Sequence, residues 1–280
     1  MSTLVIARLT FFEAARRKIL LAAAVLGLAF LVVFAVGFHF MNHNLVTMAG
    51  ANMLVLNEMR NFMLMAGLYV VNFLTVMMTV LTSVDTLSGE ISSGTIQTLV
   101  AKPVQRWEIL MGKWLGFAGM LSLYLLMMAG GVMAYIYLRT GYIAPNPIQA
   151  LGLMWLNSLL LLSVSILGGT YLSTLANGVM VFGLYGVAFI GGWIEQIGSF
   201  MPAQTAQAAS NIGIITSLLL PSEALWKRAA HEIQSPLVAS LGVSPLSSST
   251  YPSNLMIWYA VGYLSVALVL ALRHFKRRDL

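Results

Sequence analysis

The sequence predicts an all-α integral membrane protein with six transmembrane helices, a short helix before the first span and short helices before the last. Three observations predict it. Hydrophobic residues make up 59% of the 280 positions and charged residues only 9%, against about a quarter charged in ordinary soluble domains. The charged side chains cluster in a few short segments between long uncharged runs. Those runs approach or exceed the roughly 20 apolar residues a helix needs to cross about 30 Å of hydrocarbon, where an unsatisfied backbone amide costs several kcal/mol.

The chain opens with Val5, Ile6, Leu9 and Phe12 at helical spacing among Arg8, Glu13, Arg16 and Arg17, the pattern of an elbow helix lying in the membrane interface. The apolar stretch behind it exceeds a signal peptide's core and lacks a small-residue cleavage site, so it reads as a retained anchor. The predicted spans are 19–40, 62–84, 114–138, 151–173, 179–199 and 255–272. The fourth and fifth come from one uncharged tract, divided at Ser173, Thr174, Asn177 and Gly178. Residues 201–254 lie between the fifth and sixth spans. Their apolar run Ile212 to Leu220 is too short to cross, and reads as a helix dipping into the outer leaflet and ended by Pro221. Ser222 is an N-cap residue type and Glu223 suits a first helical turn, so Glu223 to Ile233 reads as a second short helix along the outer surface.

Positive charge in short loops marks the cytoplasmic side. Eleven of the fifteen Lys and Arg fall on the side that carries both termini: Arg8, Arg16, Arg17, Lys18, Lys102, Arg106, Lys113, Arg273, Lys276, Arg277 and Arg278. That sorting puts both ends in the cytoplasm of a multi-pass protein of the plasma (cytoplasmic or inner) membrane. The same placement accounts for the net charge of +6 without nucleic acid, since the basic residues flank apolar segments rather than line a polar platform.

Several chemistries find no support. The chain has no cysteine, which excludes disulfides and thiolate metal sites. His39, Met41, His43 and Met48 gather at the outer end of span one with ligand types that suit copper, but Met is a common apolar filler, and no metal site is assigned. The acids are scattered and no nucleophile has a recognisable partner, so no catalytic residue is assigned. Glu195, at the outer end of span five, reads as an interfacial anchor. The pairs Gly168–Gly169, Gly191–Gly192 and Gly183–Gly186 are sites where helices can approach closely.

The loop 85–113 is the longest on the inner side and the one with a dense polar programme, broken into short pieces by Gly89, Gly94 and Pro103. Its residues Gly89-Glu90, Gly94-Thr95, Leu99, Lys102-Pro103, Arg106, Ile109-Leu110 and Gly112-Lys113 resemble the cytoplasmic signature of ABC type-2 (ABC-2) transporter permeases. The resemblance extends to the basic elbow, the six spans, the Leu220 to Trp226 segment and the basic tail. Within the family it is most similar to the single-polypeptide, six-span permeases of about this size, which include the NosY-type permease of nitrous oxide reductase maturation.

That resemblance implies a permease subunit of an ATP-driven transporter, an exporter, working as a pair of permeases with a separate ABC ATPase. It implies a coupling helix in the loop, seated on the ATPase, with Glu90, Gly94, Thr95, Pro103, Arg106, Gly112 and Lys113 as the ATPase-coupling residues. The sequence contains no G-x-x-x-x-G-K-[ST] phosphate loop, so ATP and Mg belong to the partner and this chain holds no cofactor and is no enzyme. The alternative is a non-transporting membrane subunit relaying ATPase motion to an extracytoplasmic partner or maturation machinery, for which 201–254 is the docking region.

Overall fold

The helical periods of the sequence become nine α-helices among the described residues of a computed structural model, which are 2–16, 18–49, 52–92, 105–235 and 251–277. In chain order they are α1 (Ser2–Arg16), α2 (Lys18–Ala49), α3 (Met53–Ser92), α4 (Arg106–Thr140), α5 (Pro147–Tyr171), α6 (Thr174–Gly198), α7 (Ala203–Leu219), α8 (Ser222–Ile233) and α9 (Asn254–Arg277). Six of them, α2 to α6 and α9, are long and apolar enough to cross a membrane. They alternate in direction, so the start of α2, the ends of α3, α5 and α9 and the starts of α4 and α6 share one end of the bundle, called here the basic end.

Three of the helices, α2, α3 and α4, far exceed the thickness of a bilayer, α3 and α4 by the most. At about 1.5 Å per residue, the 40 residues of α3 and the 35 of α4 extend about 60 and 52 Å, against about 30 Å of hydrocarbon. Between Thr75 and Ser88, α3 carries hydroxyls that are satisfied within the helix. Thr75, Thr79, Thr82, Ser83, Thr86 and Ser88 each donate to the carbonyl four residues earlier, the way Ser and Thr are accommodated inside a helix in lipid. α4 ends at Gly141, whose φ of 68° lets its N–H return to the Tyr137 carbonyl at 2.8 Å, a left-handed cap that glycine adopts without a Cβ penalty. α5 then starts on Pro147, where a missing N–H costs nothing.

Burial sorts the spans. The apolar window of α5 is 72% buried and that of α3 61%, while α2 is 6% and α9 17%, so α3 and α5 are central and α2 and α9 peripheral. Midway through the two central spans, Asn157 donates to Asn72 Oδ1 at 3.3 Å, with both side chains buried. This is an interhelical polar contact of the kind that holds membrane helices together.

The break between α5 and α6 falls at Leu172 and Ser173, and Asn177 and Gly178 lie within α6. Asn177 is fully buried and donates from one amide to the Val84 carbonyl at 3.1 Å and the Ser165 carbonyl at 2.9 Å, tying α3, α5 and α6 together. The amide was legible as polar, but its short side chain closes a junction rather than opening a loop. Gly168 makes room for it: a Cβ there would stand 2.1 Å from Asn177 Oδ1.

The region between α6 and α9 also differs from the surface arrangement expected. α7 and α8 meet at a bend of 110°. α8 is not a surface helix: Ala224, Leu225, Trp226, Ala229, Ala230 and Ile233 are buried, most extensively against α5. The physical reason lies in its small residues, which let the helix press between the spans. Its N-cap position is Pro221, and Ser222 is the first helical residue with a buried hydroxyl. The C-terminus of α8 is anchored by Asn61, which donates to the Ile233 carbonyl at 2.8 Å, and by Asn146, which donates to Glu232 Oε2 at 3.1 Å.

α1 packs along α4, with Ile6, Thr10 and Ala14 turned inward. Val5, Leu9 and Phe12 stay exposed, so the four apolar residues grouped by the sequence divide between two faces.

Candidate functional site

Of the expected coupling residues, Glu90, Arg106, Gly112 and Lys113 sit where α3 and α4 project at the basic end. Gly94, Thr95 and Pro103 lie outside the described residues, as does the rest of 93–104. Glu90 and Lys113, on the helices that flank that segment, form an ion pair. The Lys113 side chain is 5% exposed and that of Glu90 13%, so the pair is shielded from the screening that makes surface pairs weak. Gln105 caps α4 by donating its backbone N–H to Glu108 Oε2 at 3.1 Å, which also places an acid in the first turn, where the helix dipole favours it.

Arg106 donates to the Lys276 carbonyl at 3.2 Å, linking the start of α4 to the last turn of α9. Gly112 faces α1: a Cβ there would stand 2.7 Å from Ile6 and 3.0 Å from the Thr3 carbonyl, and at Gly116 the Ala7 carbonyl would be 2.7 Å away. The two glycines, four apart on one helix face, set the depth of the α1–α4 contact. Gly116 escaped the sequence reading although its spacing from Gly112 is the signal. At the same level Thr174 donates to Asp85 Oδ1 at 3.2 Å and lies 3.0 Å from the Ser88 hydroxyl. The arrangement is a platform in which polar contacts cross-link α3, α4, α6 and α9 around the ends of 93–104, with α1 packed against α4 at Gly112 and Gly116.

A second polar cluster occupies the opposite end, where α6, α7 and α8 meet. Glu195 pairs with Lys227, and Glu223, 7% exposed, lies beside them. Burial pushes the Glu223 carboxyl up to about 7, with Lys227 pulling it down and Glu195 adding to the rise. Glycines permit this crowding: a Cβ at Gly192 would be 2.2 Å from Glu223 Cγ, and one at Gly213 would be 2.2 Å from Glu195 Oε2. Trp193 closes the cluster on the α3 side by donating to the Tyr69 hydroxyl at 2.9 Å. Two carboxylates and one ammonium are therefore held together where α6, α7 and α8 meet. In the sequence Glu195 has the pattern of an interfacial anchor and Glu223 that of a first-turn acid. The available signal was the Glu223–Lys227 spacing of four on a segment of Ala, Leu and Trp.

At the outer end of α2, His39 Nδ1 lies 2.7 Å from Arg139 Nη2, and among the described residues no three His, Asp or Glu gather as ligands.

The order of helices, the overshooting pair around the polar segment and the bent pair before the last span bring the whole chain into the comparison with known families. The family model described as ABC-2 family transporter protein matches residues 5–280. The chain belongs to the ABC-2 transporter family. As an ABC-2 protein it is a multi-pass membrane permease component of an ABC transporter, a class that in general works with an ABC ATPase. No curated protein matches the chain by sequence. The ABC-2 match includes α1 from Val5 onward, the platform and the α7–α8 bend, so both polar clusters lie in the shared domain.

Proposed function

We propose that this ABC-2 permease is the membrane half of an ATP-driven exporter in the plasma membrane, with both termini in the cytoplasm and the basic end facing a separate ABC ATPase. The observation that carries the reading is the buried Glu90–Lys113 pair, which clamps two overshooting helices at the base of segment 93–104. A push on that segment would move α3 and α4 together instead of bending each. In this reading Gly94, Thr95 and Pro103 shape the element that meets the ATPase, Arg106 transmits its motion to α9, and Gly112 carries it to α1, which lies in the interface as an elbow with Val5, Leu9 and Phe12 toward lipid. ATP and Mg are held by the partner.

The permease works as a homodimer. α6 leaves Val179, Phe182, Gly183, Gly186, Val187 and Ile190 on one uncovered stripe, and nothing lies within 4 Å of a Cβ at Gly183 or Gly186. A small-residue stripe of this kind suits a close helix contact with a second copy.

The test is reconstitution in vesicles of the purified permease, alone and with its co-expressed ATPase, using a phosphate-loop Lys variant of the ATPase as control. ATP turnover should require the ATPase, and replacing residues 94–103 by a Gly/Ser linker should abolish coupling while leaving insertion intact. Turnover by the permease alone, or full coupling with the linker, would overturn the reading. ATP-dependent change at the outer end without flux of any candidate substrate would favour a relay subunit instead.

A further inference from the structure

Two cavities meet along α9. Between α5, α6 and α9 runs a groove of about 760 Å³ with a mainly apolar lining that includes Leu167, Met180, Leu184, Gly262, Tyr263 and Val266. At the basic end it abuts a second cavity of about 730 Å³ walled by Arg273, His274, Lys276 and Arg277. Tyr171 and Leu270 line both, so the two are one continuous trough with an apolar body and a cationic head.

Its dimensions fit a membrane constituent. Along α9 the apolar body runs from Tyr259 to Leu270, about 16 Å at 1.5 Å per residue, close to half of about 30 Å of hydrocarbon. Tyr259 closes the far end by donating to the Leu218 carbonyl at 2.6 Å. At the junction of body and head, His274 stacks on Tyr171 with ring centroids 3.6 Å apart. His274 Nδ1 is buried and has no hydrogen-bond partner among the described residues. Among the described residues no carboxylate lines the head cavity.

We propose that this trough is a binding site for an anionic phospholipid of the leaflet at the basic end, with an acyl chain along α5, α6 and α9 and the phosphodiester held by Arg273, His274, Lys276 and Arg277. Charge decides between this occupant and a second copy of the chain. At that level the protein carries a large excess of Lys and Arg, so a second copy would present mainly cations to the head cavity, whereas the leaflet presents phosphodiesters. Basic residues beside a span attract anionic headgroups, and the attraction is lost when the charge is removed. The inference needs only that the six helices cross a bilayer, and it stands apart from ATPase coupling.

The test uses the purified full chain in detergent and native mass spectrometry, after incubation with phosphatidylglycerol, with phosphatidylcholine of the same acyl chains, or with sodium phosphate. The wild type should retain phosphatidylglycerol at least about fivefold better than phosphatidylcholine, the factor expected for each basic contact, and should retain no phosphate adduct. R273Q/K276Q should keep lipid but lose the preference for phosphatidylglycerol. G262F should lose both lipids, and since nothing lies within 4 Å of a Cβ at Gly262, circular dichroism should show it folded. Equal retention of the two lipids by the wild type, or unchanged retention by folded G262F, would overturn the proposal, as would phosphate displacing the lipid. In a chain free of cysteine, disulfide cross-linking of two copies through Gly262→Cys would put a second copy in the trough and overturn it as well.

Discussion

Lys113 of α4 and Glu90 of α3 pair with each other at the foot of the segment that joins their helices, and both are shielded from solvent. Removing one member of such a pair leaves an uncompensated buried charge, whereas replacing both with apolar groups often restores stability. Glu90→Gln and Lys113→Met should each cost about 3–5 kcal/mol, seen as a lower midpoint of thermal aggregation in detergent. The double replacement E90L/K113M should recover most of that loss while remaining poorly coupled to the ATPase. Unchanged midpoints in both single variants would mean that water reaches the pair and that it cannot act as a clamp.

The α1–α4 contact gives a prediction of sign. Gly130 of α4 has open space where a Cβ would go, while a Cβ at Gly116 would stand 2.7 Å from the Ala7 carbonyl. Alanine is the better helix former by up to about 1 kcal/mol, so Gly130→Ala should be neutral or stabilising. Gly116→Ala should destabilise by about 1–3 kcal/mol through overpacking against backbone and expose α1 to proteolysis. Limited digestion of the two variants beside the wild type measures it; equal digestion would detach α1 from the platform.

The six spans were legible because lipid imposes one rule on every stretch of backbone, and uncharged length alone reports obedience to it. The positions of Asn177 and Glu223 were not. A lone amide in an apolar tract has the same appearance in sequence whether it ends a helix or bridges two carbonyls, and only the neighbouring helices α3 and α5 decide. Glu223 stands two residues after Pro221, a context shared by exposed first-turn acids, and its burial follows from Gly192 on another helix. The Glu90–Lys113 pair was half legible: both residues were singled out, but their separation in sequence hid that the ends of α3 and α4 lie side by side. The same holds for Gly112, chosen from the resemblance and explained by Ile6 and Thr3 of α1.

Glu223 makes the outer cluster sensitive to pH. Its carboxyl titrates at about 7 in the folded chain against an ordinary 4.5, chiefly through burial. Lys227, Glu195, Tyr69 and Tyr185 are the titratable groups that act on it or on one another there. A raised pKa means that the protonated form is favoured by folding. The stabilisation is therefore fully present below about pH 4.5 and is lost as pH rises through about 7, a span worth roughly 3 kcal/mol. Glu223→Gln should match the wild type near pH 4.5, exceed its thermal midpoint at pH 8, and flatten the dependence between. A wild-type midpoint that rises steadily from pH 5 to pH 8, with the variant following in parallel, would show that Glu223 stays ionised in the fold.

The orientation of the bundle can be tested at its two ends with a membrane-impermeant thiol reagent. Ser253 is exposed just before α9, and Trp107 is 50% exposed at the start of α4, on opposite ends of the alternating spans. Because the chain has no native cysteine, Ser253→Cys and Trp107→Cys each report one position without background. The charge sorting places Trp107 inside and Ser253 outside, so intact cells should label Ser253→Cys fully and Trp107→Cys only after permeabilisation. If the α7–α8 pair crossed the membrane as a seventh span, the two positions would lie on the same side and label together. Reversed labelling would turn the basic end outward, which would remove the platform from any cytoplasmic ATPase and end the coupling reading. Separate labelling in the expected sense leaves the bent pair as a re-entrant element, with the Glu195–Lys227 pair and Glu223 held at the outer end of the permease.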